Sequence, residues 1–226
     1  MSEWLVSIFP NLAKRMPEFW QATVDTLVMV GISGAISFVL GMFFAVLLTI
    51  TRPEGISENA LIFQVIDKVV NFFRSVPFII LVILLMPLSR LIMGTAIGVA
   101  GAIVPLVFGC VPFFTRQVEN ALADVPDGLI EAAEAMGLST GDIIWRVYLR
   151  EGIPALVRGG TVTIISLIGL TAMAGAVGAG GLGDFAIRYG KDLNQNDVTW
   201  GTVIMLVLMV TIVQVIGTAI ARRAKH

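Results

Sequence analysis

Long uncharged runs alternate with short charged segments along this chain. Thr26–Thr51 holds 26 residues without a charge, between Asp25 and Arg52. Leu91–Thr115 holds 25, between Arg90 and Arg116, and Gly159–Gly183 and Val198–Ala221 are two further runs. A helix needs about 20 mostly apolar residues to cross a bilayer core. A fifth, weaker stretch runs from Val69 to Leu88 with Arg74 inside it. Arg74 lies close enough to its end for the long side chain to snorkel to the interface. The pattern predicts an all-α membrane protein with five transmembrane helices, at about residues 21–51, 69–88, 91–115, 153–173 and 198–221. A polar segment, 116–152, separates the third from the fourth.

Composition excludes the soluble alternative. Hydrophobic residues make up 57% of the chain and charged residues 14%, against about 25% charged in an ordinary soluble domain. The one cysteine, Cys110, rules out an intrachain disulfide. The one histidine is His226, so histidine chemistry and a metal site built on internal histidines are excluded. A net charge of −1 gives no footprint for nucleic acid. Five spans place the termini on opposite sides. With the C-terminus inside, ten lysines and arginines lie on the inner segments and five on the outer ones, which favours N-out, C-in. The aromatics Trp4, Phe9, Phe19 and Trp20 suggest an interfacial segment ahead of the first span rather than a secretory signal.

Ser37, Gly41 and Ala45 repeat at four-residue spacing, as do Gly94, Gly98 and Ala102. Small residues so spaced let helix backbones approach. Pro77, Pro105 and Pro112 each remove a helical hydrogen bond and mark kinks. Asp25 reads as a helix-start residue, and Thr211, Gln214 and Thr218 as an interhelical hydrogen-bonding face.

Segment 116–152 carries seven carboxylates against three arginines, a net −4. It predicts two short helices. The first, near Leu129–Met136, opens after the turn Pro126-Asp127-Gly128 and ends at Gly137, a left-handed cap. The second begins after Ser139 as N-cap, with Asp142 at its third position. Ala132, Ala133 and Ala135 keep the first helix thin, with Glu131 and Glu134 on it. A thin helix fits a partner's groove. A solvated linker fits the same composition.

Glu131-Ala132-Ala133 with Gly137 following and a hydrophobic helix leading to Pro154 resembles the EAA loop of binding-protein-dependent ABC importer permeases. Leu149 is followed by Arg150, where that family usually has proline. Asn71–Phe78, Ile103–Leu106, Val118–Leu122 and Gly175–Gly183 are similar to the permease subunits of bacterial methionine importers, and the likeness covers nearly the whole chain. The resemblance implies an inner-membrane homodimer. It implies two separate ATP-binding subunits docked on the coupling residues Glu131, Ala132, Ala133, Glu134 and Gly137. It also implies an extracytoplasmic substrate-binding protein, no cofactor and no metal. The alternatives are a permease for another amino acid and a secondary transporter that works without ATP.

Gly178–Gly183 fits G-x-G-x-x-G, but no strand precedes it and no βαβ unit surrounds it. It reads as a flexible outer loop. No G-x-x-x-x-G-K-[ST] loop occurs, so the chain lacks that ATP-binding chemistry. In the fourth span Gly159, Thr163, Ser166, Leu170 and Met173 share one face. Thr163, Ser166, Leu170 and Met173 are the candidate pathway and gate residues; packing against a neighbouring helix explains the same pattern.

Overall fold

Proline, glycine and capping side chains set where the helices of this chain break. The computed structural model describes residues 8–224. Trp4, Lys225 and His226, which figure in the sequence reading, lie outside the described residues. The helices are α1 (Pro10–Lys14), α2 (Met16–Thr51), α3 (Ala60–Ser75), α4 (Phe78–Met93), α5 (Gly98–Ala123), α6 (Asp127–Ala135), α7 (Thr140–Gly175), α8 (Gly181–Phe185) and α9 (Asn196–Arg223). α7 contains a π-helical turn at Ile144–Tyr148, and a second π turn, Ala186–Lys191, follows α8. Helices α2, α5, α7 and α9 are each long and apolar enough to span a bilayer, and the bent pair α3–α4 passes the same test when its two helices are taken together, which brings the count to five if the pair is one span.

Three boundaries differ from the sequence expectation. The stretch 69–88 is not one helix, because α3 and α4 are bent at a break. Pro77 has no N–H to donate and disfavours the helical region for the residue before it, and Val76 is extended, with ψ 123°. Pro105 and Pro112, by contrast, lie within continuous α5. The third span begins at Gly98 rather than at 91, since Gly94 and Gly98 both have positive φ, 74° and 73°. They form the turn after α4, and neither has a neighbour where a Cβ would stand, so the Gly94-Gly98-Ala102 spacing does not bring backbones together at its glycines. The second helix of segment 116–152 is the start of α7, which runs unbroken through Arg150. Arg150 supplies the N–H a proline would lack there.

The chain divides into two compact units, and each long helix contributes to both. The first comprises Met1–Ala35, Pro77–Gly109 and Ile164–Val213. Its core joins Leu12, Phe19 and Ala22 to Leu182, Phe185 and Val198. The Asp197 carboxylate accepts from the Asn11 backbone N–H (2.7 Å), the Leu12 N–H (3.2 Å) and Asn11 Nδ2 (3.0 Å). It thereby takes up donors that open the short α1. The glycine-rich segment is not a free loop. Ala179 and Leu182 are buried, and the Leu182 N–H donates to Thr26 Oγ1 at 2.9 Å. A methyl group at Gly183 would strike the Ala172 backbone. Asp25 stands inside α2, accepting from Gln21 Nε2 at 2.8 Å, and starts no helix.

The second unit comprises Ile36–Val76, Cys110–Thr163 and Gln214–His226. Here the Ser37-Gly41-Ala45 spacing acts as expected. A methyl at Gly41 would lie 2.7 Å from the Phe114 ring, and Phe38 stacks on Phe114 at 4.1 Å. α9 meets α7 at Gly217, where a side chain would collide with Thr161. The anticipated interhelical hydrogen bonds of α9 are absent among the described residues: Thr211 donates to its own helix at Val207, and Gln214 and Thr218 are exposed. Of the most apolar window of α9, 11% is buried. Val207, Val215 and Ile216 stand outward, as lipid-facing side chains do.

Candidate functional site: helix α6 and its supports

α6 begins behind Pro126 and closes at Met136. Gly137, at φ +75°, takes the left-handed position that ends it, and its N–H bonds the Glu134 carbonyl at 2.8 Å. One face is fixed. Ile130 and Ala133 are buried with Ala45, Phe114, Val118, Leu122, Ile143 and Tyr148. The other face is open. Leu129 is 44% exposed and Met136 72%, with Ala132 exposed between them. That spacing of three and four is an apolar stripe on one side of a helix. Glu131 and Glu134 flank it, and neither carboxylate takes part in an ion pair or hydrogen bond among the described residues. α6 thus combines a bolted inner face with a bare apolar ridge and unspent carboxylates.

The supports are local. Ser139 caps α7 by accepting from the Asp142 N–H at 3.2 Å. Arg146 pairs with Asp142 at 3.1 Å. The π turn Ile144–Tyr148 directs Tyr148 into the core beneath α6 and leaves Trp145 74% exposed. Arg52, after the end of α2, reaches Asp127 at 3.6 Å. π turns recur at functional positions in helices.

Sequence reasoning placed the five candidate coupling residues on one segment, and the structure has them on α6 and its cap. Of these, Ala133 faces inward as packing, while Glu131, Ala132 and Glu134 are outward. It missed Leu129, Met136 and Trp145 as exposed apolar residues. The three-four spacing of Leu129, Ala132 and Met136 was the signal available for the first two; the π turn that turns Trp145 outward has no sequence signature.

It also missed Arg116. The Arg116 guanidinium pairs with Asp67 and with Glu119 (2.5 Å) and donates to Asn71 Oδ1 at 2.9 Å. Asp67 and Asn71 are one turn apart on α3, so a fork on α5 clasps α3 just ahead of its break. A separation of 49 positions leaves no local trace of this pairing.

The pathway candidates on α7 are placed unequally. Thr163 is fully buried and its hydroxyl donates to the Gly159 carbonyl at 2.8 Å. Gly159 itself lets α7 approach Gln117, whose Cβ would be 3.1 Å from an added methyl. Ser166 and Leu170 are half-buried, and Met173 is 44% exposed.

Residues 37–226 match the family described as binding-protein-dependent transport system inner membrane component. The chain is 46% identical over 205 residues to the probable D-methionine transport system permease protein MetI of Vibrio cholerae, covering 91% of each. It is 44% identical over 212 residues to the methionine import system permease protein MetP of Bacillus subtilis, covering 94% of this chain and 95% of that one. A chain in inward-facing structures of the MetNI methionine ABC transporter superposes with a TM-score of 0.89 at 42% identity, over the full length of both. A chain of an amino acid ABC transporter, 16% identical, shares the fold with a TM-score of 0.79. With its long apolar helices and its match over 37–226, the chain belongs to the inner membrane components of binding-protein-dependent transport systems.

Proposed function

We propose that this chain is the permease subunit of an ATP-driven importer that carries methionine across the bacterial inner membrane. It is non-catalytic. ATP is hydrolysed on two separate subunits, each docked on the α6 of one protomer of a homodimer. An extracytoplasmic binding protein delivers the substrate. The C-terminus and α6 face the cytosol and the N-terminus faces outward, in keeping with the distribution of lysine and arginine. The observation that carries the reading is α6, with its anchored inner face and its open ridge of Leu129, Ala132 and Met136, in a chain alike over its whole length to a methionine transporter subunit.

Mechanically, the reading is a two-state switch. Closure of the ATP-binding subunits displaces α6. The packing of Ile130 and Ala133 on Phe114, Val118 and Tyr148 transfers that displacement to α5 and α7. Close-packed interiors transmit strain rather than absorb it. The Thr163, Ser166, Leu170 and Met173 face of α7 then lines or gates the path. Ser166 offers a polar group, and the exposed thioether of Met173 suits an apolar substrate side chain.

Reconstitution tests this. In proteoliposomes with the ATP-binding subunit and the binding protein, labelled methionine accumulates only when all components and ATP are present. Accumulation against a gradient by this chain alone contradicts the reading.

A further inference from the structure

Pro105 lies inside continuous α5 and has no N–H, so the Gly101 carbonyl, four positions earlier, lacks its helical donor. Both residues are buried, and a buried carbonyl left unpaired is costly. A second unpaired group stands on α4. Ser89 is 1% exposed, and its hydroxyl has no hydrogen-bond partner among the described residues. A serine in a helix can donate to the carbonyl four residues back, as Ser75 does to Asn71; Ser89 does not. Ser89, Gly101 and Pro105 line one small cavity, walled also by Val82, Met86 and Val177. Its volume is about 10 Å³, close to the least that holds one water molecule.

We infer that this cavity is a structural water site. The Ser89 hydroxyl donates to the water, and the water donates to the Gly101 carbonyl. A wholly apolar cavity stays dry; the hydroxyl and the freed carbonyl give this one the polar partners a water needs. No charged side chain among the described residues lines it, so an ion finds no counter-charge there, and nothing bulkier than water fits. In a bilayer-embedded helix a proline persists where side chains or ordered water take up the carbonyl it frees. Here a serine of the neighbouring helix does so through water. The water also completes a joint. The Gly98 N–H donates to the Gly178 carbonyl at 2.8 Å, so the start of α5 is tied directly to the glycine-rich segment and, one turn on, to α4 through the water. A methyl group at Gly101 would collide with the Ala96 backbone, and that close packing holds the Gly101 peptide at the cavity wall. The site stands independently of the transport reading.

The full chain in nanodiscs provides the test, by thermal unfolding and by structure determination at a resolution that shows ordered water. Density for one water is expected within about 3 Å of both Ser89 Oγ and the Gly101 oxygen. Ser89→Ala removes one of the two partners and is expected to lower the melting temperature by about 3 °C. Pro105→Ala returns an N–H to the Gly101 carbonyl. In that background Ser89→Ala is expected to cost about 1 °C or less, the coupling that a shared water produces. Equal losses in the two backgrounds overturn the site. An empty cavity also overturns it, as does a Ser89 hydroxyl that donates directly to the carbonyl of Leu85 or Gly101. If Pro105→Ala does not fold, the density in the parent decides: a bridging water supports the site and an empty cavity overturns it.

Discussion

Two segments of this chain carry short glycine-containing motifs, and they differ in what they leave unspent. At Gly178–Gly183 the backbone is consumed locally. The Leu182 N–H is bonded to Thr26, Leu182 is buried, and Gly183 presses on Ala172. At α6 the glycine merely ends a helix, and the groups ahead of it stay available: Leu129, Ala132 and Met136 bare, Glu131 and Glu134 unpaired. A motif points to recognition when its atoms remain free after folding, and to architecture when they do not. The first segment resembles a dinucleotide loop in letters and is a packed turn in fact. The second keeps an open ridge, on which the proposed docking rests.

The comparison breaks most visibly at the α6 ridge. Ala132→Trp leaves the buried face untouched and blocks entry into a groove, so energised uptake is expected to fall by at least about thirtyfold, the scale of a hot-spot loss. Thermal stability of the purified protein should hold. Uptake in proteoliposomes and a melting curve in detergent check the two halves. A parallel loss of stability would assign α6 to architecture. The converse holds for the glycine-rich segment. Gly183→Val forces side-chain atoms into the Ala172 backbone and is expected to cost about 1–3 kcal/mol or more. Its melting temperature should drop by several degrees, with binding of the ATP-binding subunit unchanged in the protein that remains folded.

Smaller effects sharpen the contrast between held and open groups. Arg116→Met removes the fork that holds Asp67 and Glu119. Their side chains are 31% and 21% exposed, so the cost is about 1–2 kcal/mol, below that of a fully buried pair. Hydrogen exchange should rise in α3 before it rises in α5. Asp197→Ala removes the acceptor shared by Asn11 and Leu12. A loss of about 1 kcal/mol is expected, seen as faster amide exchange in α1 and no change at α6. Arg52→Ala breaks an exposed pair with Asp127 and should change stability by under about 1 kcal/mol.

The sequence made the apolar runs of α2, α5, α7 and α9 legible because bilayer thickness imposes a length no soluble element needs. The Gly137 cap and the Ser139 cap were legible because each is a local bond between residues a few positions apart. What escaped was non-local or balanced between outcomes. Three prolines invited the same expectation, yet only Pro77 broke a helix; Val76 turned extended ahead of it, while Pro105 and Pro112 stayed within α5. The Arg116 clasp joins residues far apart in the chain. Thr163 was grouped with Ser166 and Met173 by helical spacing, but its hydroxyl is satisfied by its own helix at Gly159. Periodicity reports which residues share a face, not whether their polar atoms are already engaged.

The most direct test uses the chain's single cysteine economy. Cys110 is buried at 1% exposure, so Ala132→Cys in a Cys110→Ala background places one reactive thiol on the α6 ridge. Treated with a short thiol-to-amine crosslinker in membranes that also contain the ATP-binding subunit, this variant should give a covalent permease–ATPase adduct, and the yield should change between the ATP-bound and nucleotide-free states. A thiol at 132 that is labelled from the outer side of the membrane, or that never joins the ATPase in any nucleotide state, would contradict the account.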